Sequence, residues 1–268
     1  MTESAVLKAI QSPSKIPSHI HDQIRKLYRR RHTHPAVIEM VSGVLEEDHS
    51  VVREYYNGLK KSKTIIESVK STGDFISHFA VPEHALLFYL TCRAVEPEIV
   101  VETGVHTGTS SVTILQALAD NGHGKLHSID LPGTKRDPIV DSTSPYGTVK
   151  YELSDKSEVG EKVPESLRDN WELHLGSSDE ILEPLLTDIG PIDIFCHDSD
   201  HSYENMMFEF NTAQEHLHSE GVVLSDDVDW NDAFMDFTNK YASVSDSLDD
   251  YVPDRWMKET TIAGIGKL

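Results

Sequence analysis

The sequence predicts an α/β protein built on a doubly wound, mostly parallel sheet, with an N-terminal helical appendage. Up to about residue 80, apolar residues recur at helical spacing and no strand pattern interrupts them. From Pro82 onward, short β-branched runs alternate with helical segments, a pattern typical of a parallel sheet covered by helices on both faces. We therefore divide the chain into an appendage over residues 1–80 and an α/β domain over residues 81–268.

The elements of the α/β domain follow from these patterns in order. A helix is predicted from Pro82 to about Val95. β-branched and apolar runs predict strands at 98–102, 125–130, 171–175, 192–196 and 221–225, with a terminal strand in the run TTIAGIG. Helical patterns predict helices at 109–119, 163–169, 179–186, 203–217 and 233–241. A long polar stretch from Leu131 to about Asp155 interrupts the alternation.

Composition excludes several classes of partner. The 45 acidic residues outnumber the 24 basic ones, and the net charge of −21 disfavours nucleic acid and anionic membrane surfaces. No apolar run approaches the roughly 20 residues of a spanning helix, and the N-terminus lacks the apolar core of a secretory signal. We expect a cytoplasmic protein that does not bind membranes.

Two further features concern cysteine and basic residues. Cys92 and Cys196 lie in apolar segments without a CxxC pattern, which favours buried, reduced thiols. One basic cluster interrupts the acidic chain: Arg25, Lys26, Arg29, Arg30 and Arg31. We interpret it as a solvated helix face that pairs with the acidic surface, and the alternative is a site for an anionic ligand.

Ligands of open α/β sheets bind beyond the carboxyl ends of the strands. After the first predicted strand, Gly104 and Gly108 allow close approach of the backbone, and the helix that begins near Thr109 offers free N–H groups to an anionic group. Asp130, at the end of the second strand, is placed to accept hydrogen bonds from ribose hydroxyls. The glycine spacing differs from GxGxxG and disfavours NAD.

Later strand ends carry serine and aspartate. Ser178 follows the third strand and either caps the next helix or contacts an adenine edge. Parallel neighbouring strands are expected to bring Asp198 beside Asp226 and Asp227, where mutual repulsion raises their pKa values or a hard cation neutralises them. Oxygen ligands suit Mg²⁺ or Ca²⁺. The alternative is that these aspartates only cap helices.

Five motifs in order at strand ends resemble those of class I S-adenosylmethionine-dependent methyltransferases: ETGVHTGTSS, HSIDLP, GSSDEIL, IDIFCHDSDHSYE and GVVLSDDV. Within that class they resemble the metal-dependent O-methyltransferases, especially the branch with sugar O-methyltransferases and cephalosporin-hydroxylase-like proteins. The resemblance covers roughly residues 82–240. It does not cover the N-terminal helices or the polar stretch.

The resemblance implies a set of site residues. The S-adenosylmethionine-binding residues would be Glu102, Gly104, His106, Gly108, Ser110, Asp130, Ser177, Ser178 and Asp198. The ligands of Mg²⁺, or of another hard divalent cation, would be Asp198, Asp226 and Asp227. Asp200 would serve as general base, and the adjacent His201 is the alternative for that role.

We therefore predict an S-adenosylmethionine-dependent O-methyltransferase that uses Mg²⁺ and acts on a hydroxyl of a sugar, a glycan precursor or a similar small polar acceptor. The polar segment around Tyr146 to Trp171 either covers the substrate or is a surface excursion without a function. Alternatives are a metal-dependent hydroxylase or hydrolase of the same fold, a dinucleotide-binding oxidoreductase, and a non-catalytic cofactor-binding subunit. A homo-oligomer is compatible with the helical appendage.

Overall fold

The computed structural model describes residues 33–70, 81–133, 139–141, 149–151, 158–248, 251 and 262–268. The strands, in chain order, are β1 (Ile99–Thr103), β2 (Lys125–Asp130), β3 (Ile139–Asp141), β4 (Val149–Tyr151), β5 (Trp171–Leu175), β6 (Ile192–His197), β7 (Leu217–Ser225), β8 (Val244–Ser247) and β9 (Gly264–Lys267). The helices are α1 (described over 33–45), α2 (His49–Leu59), α3 (Lys63–Lys70), α4 (Glu83–Val95), α5 (Thr109–Asn121), α6 (Ser178–Ile189), α7 (Tyr203–Gln214) and α8 (Ala233–Tyr241).

The main sheet has the strand order β5-β2-β1-β6-β7-β9-β8. Its first five strands run parallel, and β9 lies antiparallel between β7 and β8. The chain proceeds from β1 outward to β2 and β5, then returns to the other side of β1 for β6 and β7. This reversal creates a switch point between β1 and β6, where open α/β sheets bind their ligands.

Helices cover both faces of the sheet. Alternate residues of β1 enter two separate apolar clusters: Val100 packs with residues of α1, α2, α4 and α5, whereas Val101 packs with residues of α6, α7 and α8. This alternation is expected of a strand buried on both faces. The predicted doubly wound sheet with N-terminal helices is confirmed. No helix in the described part of the chain is both long and apolar enough to cross a membrane.

The described N-terminal helices share the apolar cluster of the α/β domain. Val41 of α1 and Leu59 of α2 are fully buried in the same cluster as Leu86 of α4. The predicted boundary at residue 80 lies next to residues 71–80, which are outside the described residues. The division into two domains therefore stays a prediction.

Several predicted bounds are confirmed, including those of β2, β5 and α8. The predicted helix at 203–217 was too long: α7 ends at Gln214, and Leu217 instead pairs with Ile192 as the start of β7. The predicted helix at 163–169 is a 3₁₀ helix over Glu165–Asn170. Its start fits Pro164, which cannot donate a backbone hydrogen bond.

The predictions for the cysteines, the polar stretch and the basic cluster have different outcomes. Cys92 and Cys196 are buried free thiols, as predicted. Part of the polar stretch forms an antiparallel pair between β3 and β4, which the polar composition did not predict. The basic cluster at 25–31 lies outside the described residues.

Candidate active site

The turn after β1 is fastened to both neighbouring strands. The N–H of Gly104 donates to the carbonyl of Ile129 at 2.9 Å, and the N–H of Asp198 donates to the carbonyl of Thr103 at 2.8 Å. Gly104 has a φ of +85°, and a Cβ at this position would lie 1.8 Å from the carbonyl oxygen of Asp198. Only glycine permits this approach, so the turn lies directly against the end of β6.

Asp130 holds the same turn from the β2 side. Its Oδ2 accepts hydrogen bonds from the backbone N–H groups of Val105 and His106, both at 2.7 Å. Its Oδ1 makes no hydrogen bond to another described residue. One oxygen therefore shapes the turn, while the predicted contact of Asp130 with ribose hydroxyls stays a prediction. His106 itself is exposed, with a φ of +49°.

Glu102 lies beneath the turn and is fully buried. Its Oε2 accepts hydrogen bonds from Ser111 at 2.6 Å and from Ser128 at 2.8 Å, and the Ser110 side chain also hydrogen-bonds to this carboxyl group. Burial raises the pKa of Glu102 despite these bonds. Oε1 has no hydrogen-bond partner among the described residues. The structure thus places the side chains of Glu102 and Ser110 together under the predicted cofactor site.

Part of the predicted substrate-covering segment lies on the turn. The N–H of Gly160 donates to the carbonyl of His106 at 2.8 Å, and the N–H of Lys162 donates to the carbonyl of Thr107 at 3.0 Å. A Cβ on Gly108 would come within 3.1 Å of the Gly160 Cα. Residues 158–163 therefore form one wall of the site. Residues 142–148 and 152–157 of this region are outside the described residues.

At the third strand end, the prediction that Ser178 caps α6 is wrong. Ser177 occupies the N-cap position, without a side-chain capping bond, and Ser178 is the first residue of the helix. The Ser178 hydroxyl is 3.5 Å from the amide oxygen of Asn205. Helical backbone at Ser178 turns its side chain toward α7, away from the free N–H groups that a cap would satisfy. These contacts do not test the prediction that Ser177 and Ser178 contact the cofactor.

The ends of β6 and β7 bring acidic groups to a histidine that sequence reasoning missed. His84, in the first turn of α4, has its Nδ1 3.2 Å from Asp226 Oδ2 and its Nε2 4.0 Å from Asp198 Oδ2. One possible ligand atom from each of these three residues lies within 4.8 Å of the others. The sequence carried no signal for His84, because its helix reads as an ordinary apolar core helix.

The carboxylates of this cluster are strongly perturbed. Burial, followed by the charges of Asp226 and Asp227, raises the pKa of Asp198 well above its usual value. Burial raises the pKa of Asp226 to about 7, and burial together with the Asp226 charge raises that of Asp227 to about 8. Asp226 Oδ1 is buried without a hydrogen-bond partner in the described part of the chain. These carboxylates suit a bound cation, which would satisfy that oxygen and offset the repulsion.

The two candidates for general base differ in setting. Asp200 is exposed, and its Oδ1 accepts the N–H of Ser202 at 2.9 Å in the turn before α7. His201 is buried between His197 and Trp230, with ring centroids 5.1 Å away in each case. Burial lowers the pKa of His201 well below its usual value, so this imidazole is neutral at pH 7. Neither residue belongs to the cluster of His84, Asp198 and Asp226.

A buried carboxylate on α7, also missed from the sequence, connects these strand ends. Glu209 accepts hydrogen bonds from Thr103 Oγ1 at 2.5 Å, from His197 Nδ1 at 2.7 Å and from Ser199 Oγ at 2.7 Å. Burial alone would raise the pKa of Glu209, but His197 and the hydrogen bonds outweigh it and lower the pKa to about 2. The sequence signal that could have identified Glu209 is its position on the apolar face of a predicted helix.

Comparison with known proteins agrees with this geometry. Residues 101–228 match the profile of a methyltransferase domain. An O-methyltransferase from Bacillus cereus, solved with S-adenosylhomocysteine, is 14% identical and has a TM-score of 0.51; the match covers 78% of this chain and 91% of that one. TomG from Streptomyces achromogenes, an O-methyltransferase of tomaymycin synthesis solved with S-adenosylmethionine, is 16% identical with a TM-score of 0.53, covering 80% and 94% of the two chains.

No curated protein matches the sequence. At these identities the solved structures establish a shared fold, and the profile match identifies the domain. The matched residues begin within β1 and end just after Asp226 and Asp227, so they contain every predicted site residue. The resemblance to class I S-adenosylmethionine-dependent methyltransferases is confirmed over residues 101–228, where the chain matches a methyltransferase domain.

Proposed function

We propose that this protein is an S-adenosylmethionine-dependent O-methyltransferase that uses a divalent cation, Mg²⁺ in the first instance, to methylate a hydroxyl of a sugar, a glycan precursor or a similar small polar acceptor. One observation carries the proposal. In the matched region, a partly buried carboxylate cluster of Asp198, Asp226 and Asp227 shares one edge of the sheet with the turn over residues 104–108, which would bind the cofactor and is called the cofactor turn below. The two meet where Gly104 packs against Asp198.

The cofactor would lie across the turn after β1 and the end of β2. Asp130 Oδ1 would accept the ribose hydroxyls while Oδ2 keeps the turn in place. Gly104 and Gly108 would leave room for the methionine part, with Glu102 and Ser110 beneath it, and the first turn of α5 would offer N–H groups to the carboxylate. The B. cereus and S. achromogenes O-methyltransferases, solved with S-adenosylhomocysteine and S-adenosylmethionine, support this choice of cofactor. His106, Ser177, Ser178 and Asp198 would complete the rim.

The cation would be held by Asp198, Asp226 and Asp227, with His84 as an additional ligand. The raised pKa values and the unpartnered Asp226 Oδ1 support this assignment, since both are relieved by a positive charge. A bound divalent cation supplies Lewis acidity that lowers the pKa of an acceptor hydroxyl. Mainly oxygen ligands favour Mg²⁺, and the His84 nitrogen would also accommodate Mn²⁺.

The protein's own residues would then orient the acceptor and remove its proton. Transfer forms a bond between the methyl carbon and the acceptor oxygen and breaks the carbon–sulfur bond, while the hydroxyl proton passes to a base. Asp200 would be that base, because it lies at the open rim and is exposed; the neutral His201 is the alternative. The wall of residues 158–163 would help exclude water, and holding both reactants at contact distance supplies several kcal/mol of acceleration.

Binding and turnover are tested separately. We expect metal-stripped protein to bind S-adenosylhomocysteine but not NADH in calorimetry, and Asp130→Asn to weaken that binding. With a panel of sugars and other hydroxylated acceptors, Asp226→Asn should abolish methyl transfer yet leave S-adenosylhomocysteine affinity within about threefold. The exposed Asp188→Asn, near the end of α6, is the matched control and should change neither.

Each contrary outcome points to a definite alternative. Turnover unchanged in Asp226→Asn would overturn the cation-assisted reaction. Tight S-adenosylhomocysteine binding without transfer to any acceptor would favour a non-catalytic cofactor-binding subunit. Absence of S-adenosylhomocysteine binding would overturn the cofactor assignment and favour a metal-dependent hydroxylase or hydrolase of the same fold.

A further inference from the structure

A second group of ligand atoms lies on the β2–β5 side of the sheet. His127 of β2 is paired in register with Glu172 of β5, and Ile129 of β2 is paired with His174. Side chains alternate between the faces of a sheet, so His127, Glu172 and His174 project from the same face. His127 lies three residues before Asp130, which places this group about 10 Å from the carboxyl edge of the sheet.

Two of the distances within this group match the ligand spacing of a tetrahedral metal site. His127 Nδ1 is 3.4 Å from His174 Nε2 and 3.5 Å from Glu172 Oε2, and all three possible ligand atoms lie within 4.8 Å of one another. Zinc binds nitrogen and oxygen ligands at about 2.0–2.2 Å, so neighbouring ligands of a tetrahedral ion lie about 3.3–3.5 Å apart. Both measured distances from His127 agree with that spacing.

Hydrogen bonding explains the same arrangement less well. The Nδ1 of His127 faces an imidazole nitrogen and a carboxylate oxygen, yet an imidazole nitrogen carries at most one proton. Both separations are longer than the 2.7–3.2 Å usual for N–H donors. The two imidazole rings are nearly parallel, with 17° between their planes. A shared cation would satisfy all three atoms at once.

The surroundings favour an ion that enters from solvent. Lys125 Nζ donates to the other carboxylate oxygen of Glu172, Oε1, at 2.6 Å, and so orients the carboxylate with Oε2 toward the histidines. Such outer contacts are typical of metal ligands. His127 is buried, whereas the side chain of Glu172 is 47% exposed, so a fourth position would be open to water.

We propose that His127, Glu172 and His174 form a zinc-class metal site, for Zn²⁺ or a similar borderline divalent ion, that joins edge strand β5 to β2. Two nitrogens and one oxygen select zinc, cobalt or nickel over Mg²⁺, which distinguishes this site from the aspartate cluster. In the described part of the chain, only these two groups bring three ligand residues together in this way. The proposal does not depend on the methyltransferase reaction.

Zinc titration of the full chain tests the proposal. Metal-stripped protein carrying Asp226→Asn, which weakens the aspartate cluster, is titrated with Zn²⁺ in a calorimeter. We expect one zinc per chain at this site, with affinity reduced at least tenfold by His174→Asn and by Glu172→Gln. Co²⁺ in place of zinc should give the strong visible absorption of tetrahedral cobalt, and His174→Asn should remove it.

The control is His216→Asn, which breaks a comparable pair, His216 Nε2 to Glu183 Oε2 at 3.5 Å, that belongs to no three-ligand group in the described residues. Its zinc affinity should equal that of the parent. Equal zinc affinity in the parent, His174→Asn and Glu172→Gln would overturn the proposal. If His174→Asn failed to fold, Glu172→Gln would decide alone, because Glu172 is exposed and the fold does not depend on burying it.

Discussion

Replacing Gly104 with alanine tests whether the cofactor turn must pack directly against β6. A Cβ at this position would meet the carbonyl oxygen of Asp198 at 1.8 Å, so the two groups must separate by at least 1.2 Å to reach the 3.0 Å that real Cβ contacts keep. That movement would break the hydrogen bond from the Asp198 N–H to the Thr103 carbonyl. The turn would then part from the carboxylate cluster.

The expected cost has two parts. The left-handed φ of +85° penalises any Cβ by about 1–2 kcal/mol. The displacement adds to this, since a misplacement of about 1 Å costs on the order of a hundredfold in turnover. We expect S-adenosylhomocysteine affinity to fall at least tenfold, or about 1.4 kcal/mol.

Gly122→Ala separates these two parts. Gly122 ends α5 with the same φ of +85°, but a Cβ there meets no atom of the described structure within 4 Å. Gly122→Ala should lose about 1–2 kcal/mol of unfolding free energy in urea, and Gly104→Ala should lose at least as much. Only Gly104→Ala should lose cofactor affinity in calorimetry. Equal S-adenosylhomocysteine affinity in the two variants would refute the close packing of the turn on β6.

Three further predictions concern ionised groups. Because the pKa of Glu209 is lowered to about 2, its ionised carboxylate contributes about 3 kcal/mol to the free energy of unfolding. This contribution is present above about pH 4.5 and is lost as the pH falls toward 2. The free energy of unfolding of Glu209→Gln in urea should lack that pH dependence. Mg²⁺ binding should weaken between pH 8 and pH 6, because Asp226 and Asp227, with pKa values raised to about 7 and 8, take up protons that compete with the cation. His84→Gln should weaken Mn²⁺ binding about tenfold in calorimetry without changing S-adenosylhomocysteine affinity, and equal Mn²⁺ affinity would exclude His84 as a ligand.

The central strands could be predicted from sequence because both of their faces are buried. Within β6, residues 194–196 are all apolar, and polar residues follow from His197 onward, where the strand leaves the sheet. The same boundary located Asp130, Asp198 and Asp226, since strand ends at one edge become neighbours in any parallel sheet. Local pattern was therefore enough for residues whose positions depend on strand register alone.

His84 and Glu209 could not be located in this way. Each lies on a helix, and its role depends on which strand end that helix covers. His84 meets Asp226 only because α4 packs across the sheet beside β6 and β7, and no local spacing encodes that contact. The β3–β4 pair was missed for a different reason, because two strands of three residues each are too short to leave an alternating pattern in a polar stretch.

The two halves of the site are held by different contacts, and this makes them separable. Asp130 and the glycines fasten the cofactor turn through backbone groups. The position of Asp226 instead depends on the carbonyl of His197, which accepts the Asp226 N–H at 2.9 Å, while the His197 ring is held by Glu209. Because loss of the Glu209 charge loosens His197, Glu209→Gln should impair cation binding more than cofactor binding, the reverse of Asp130→Asn.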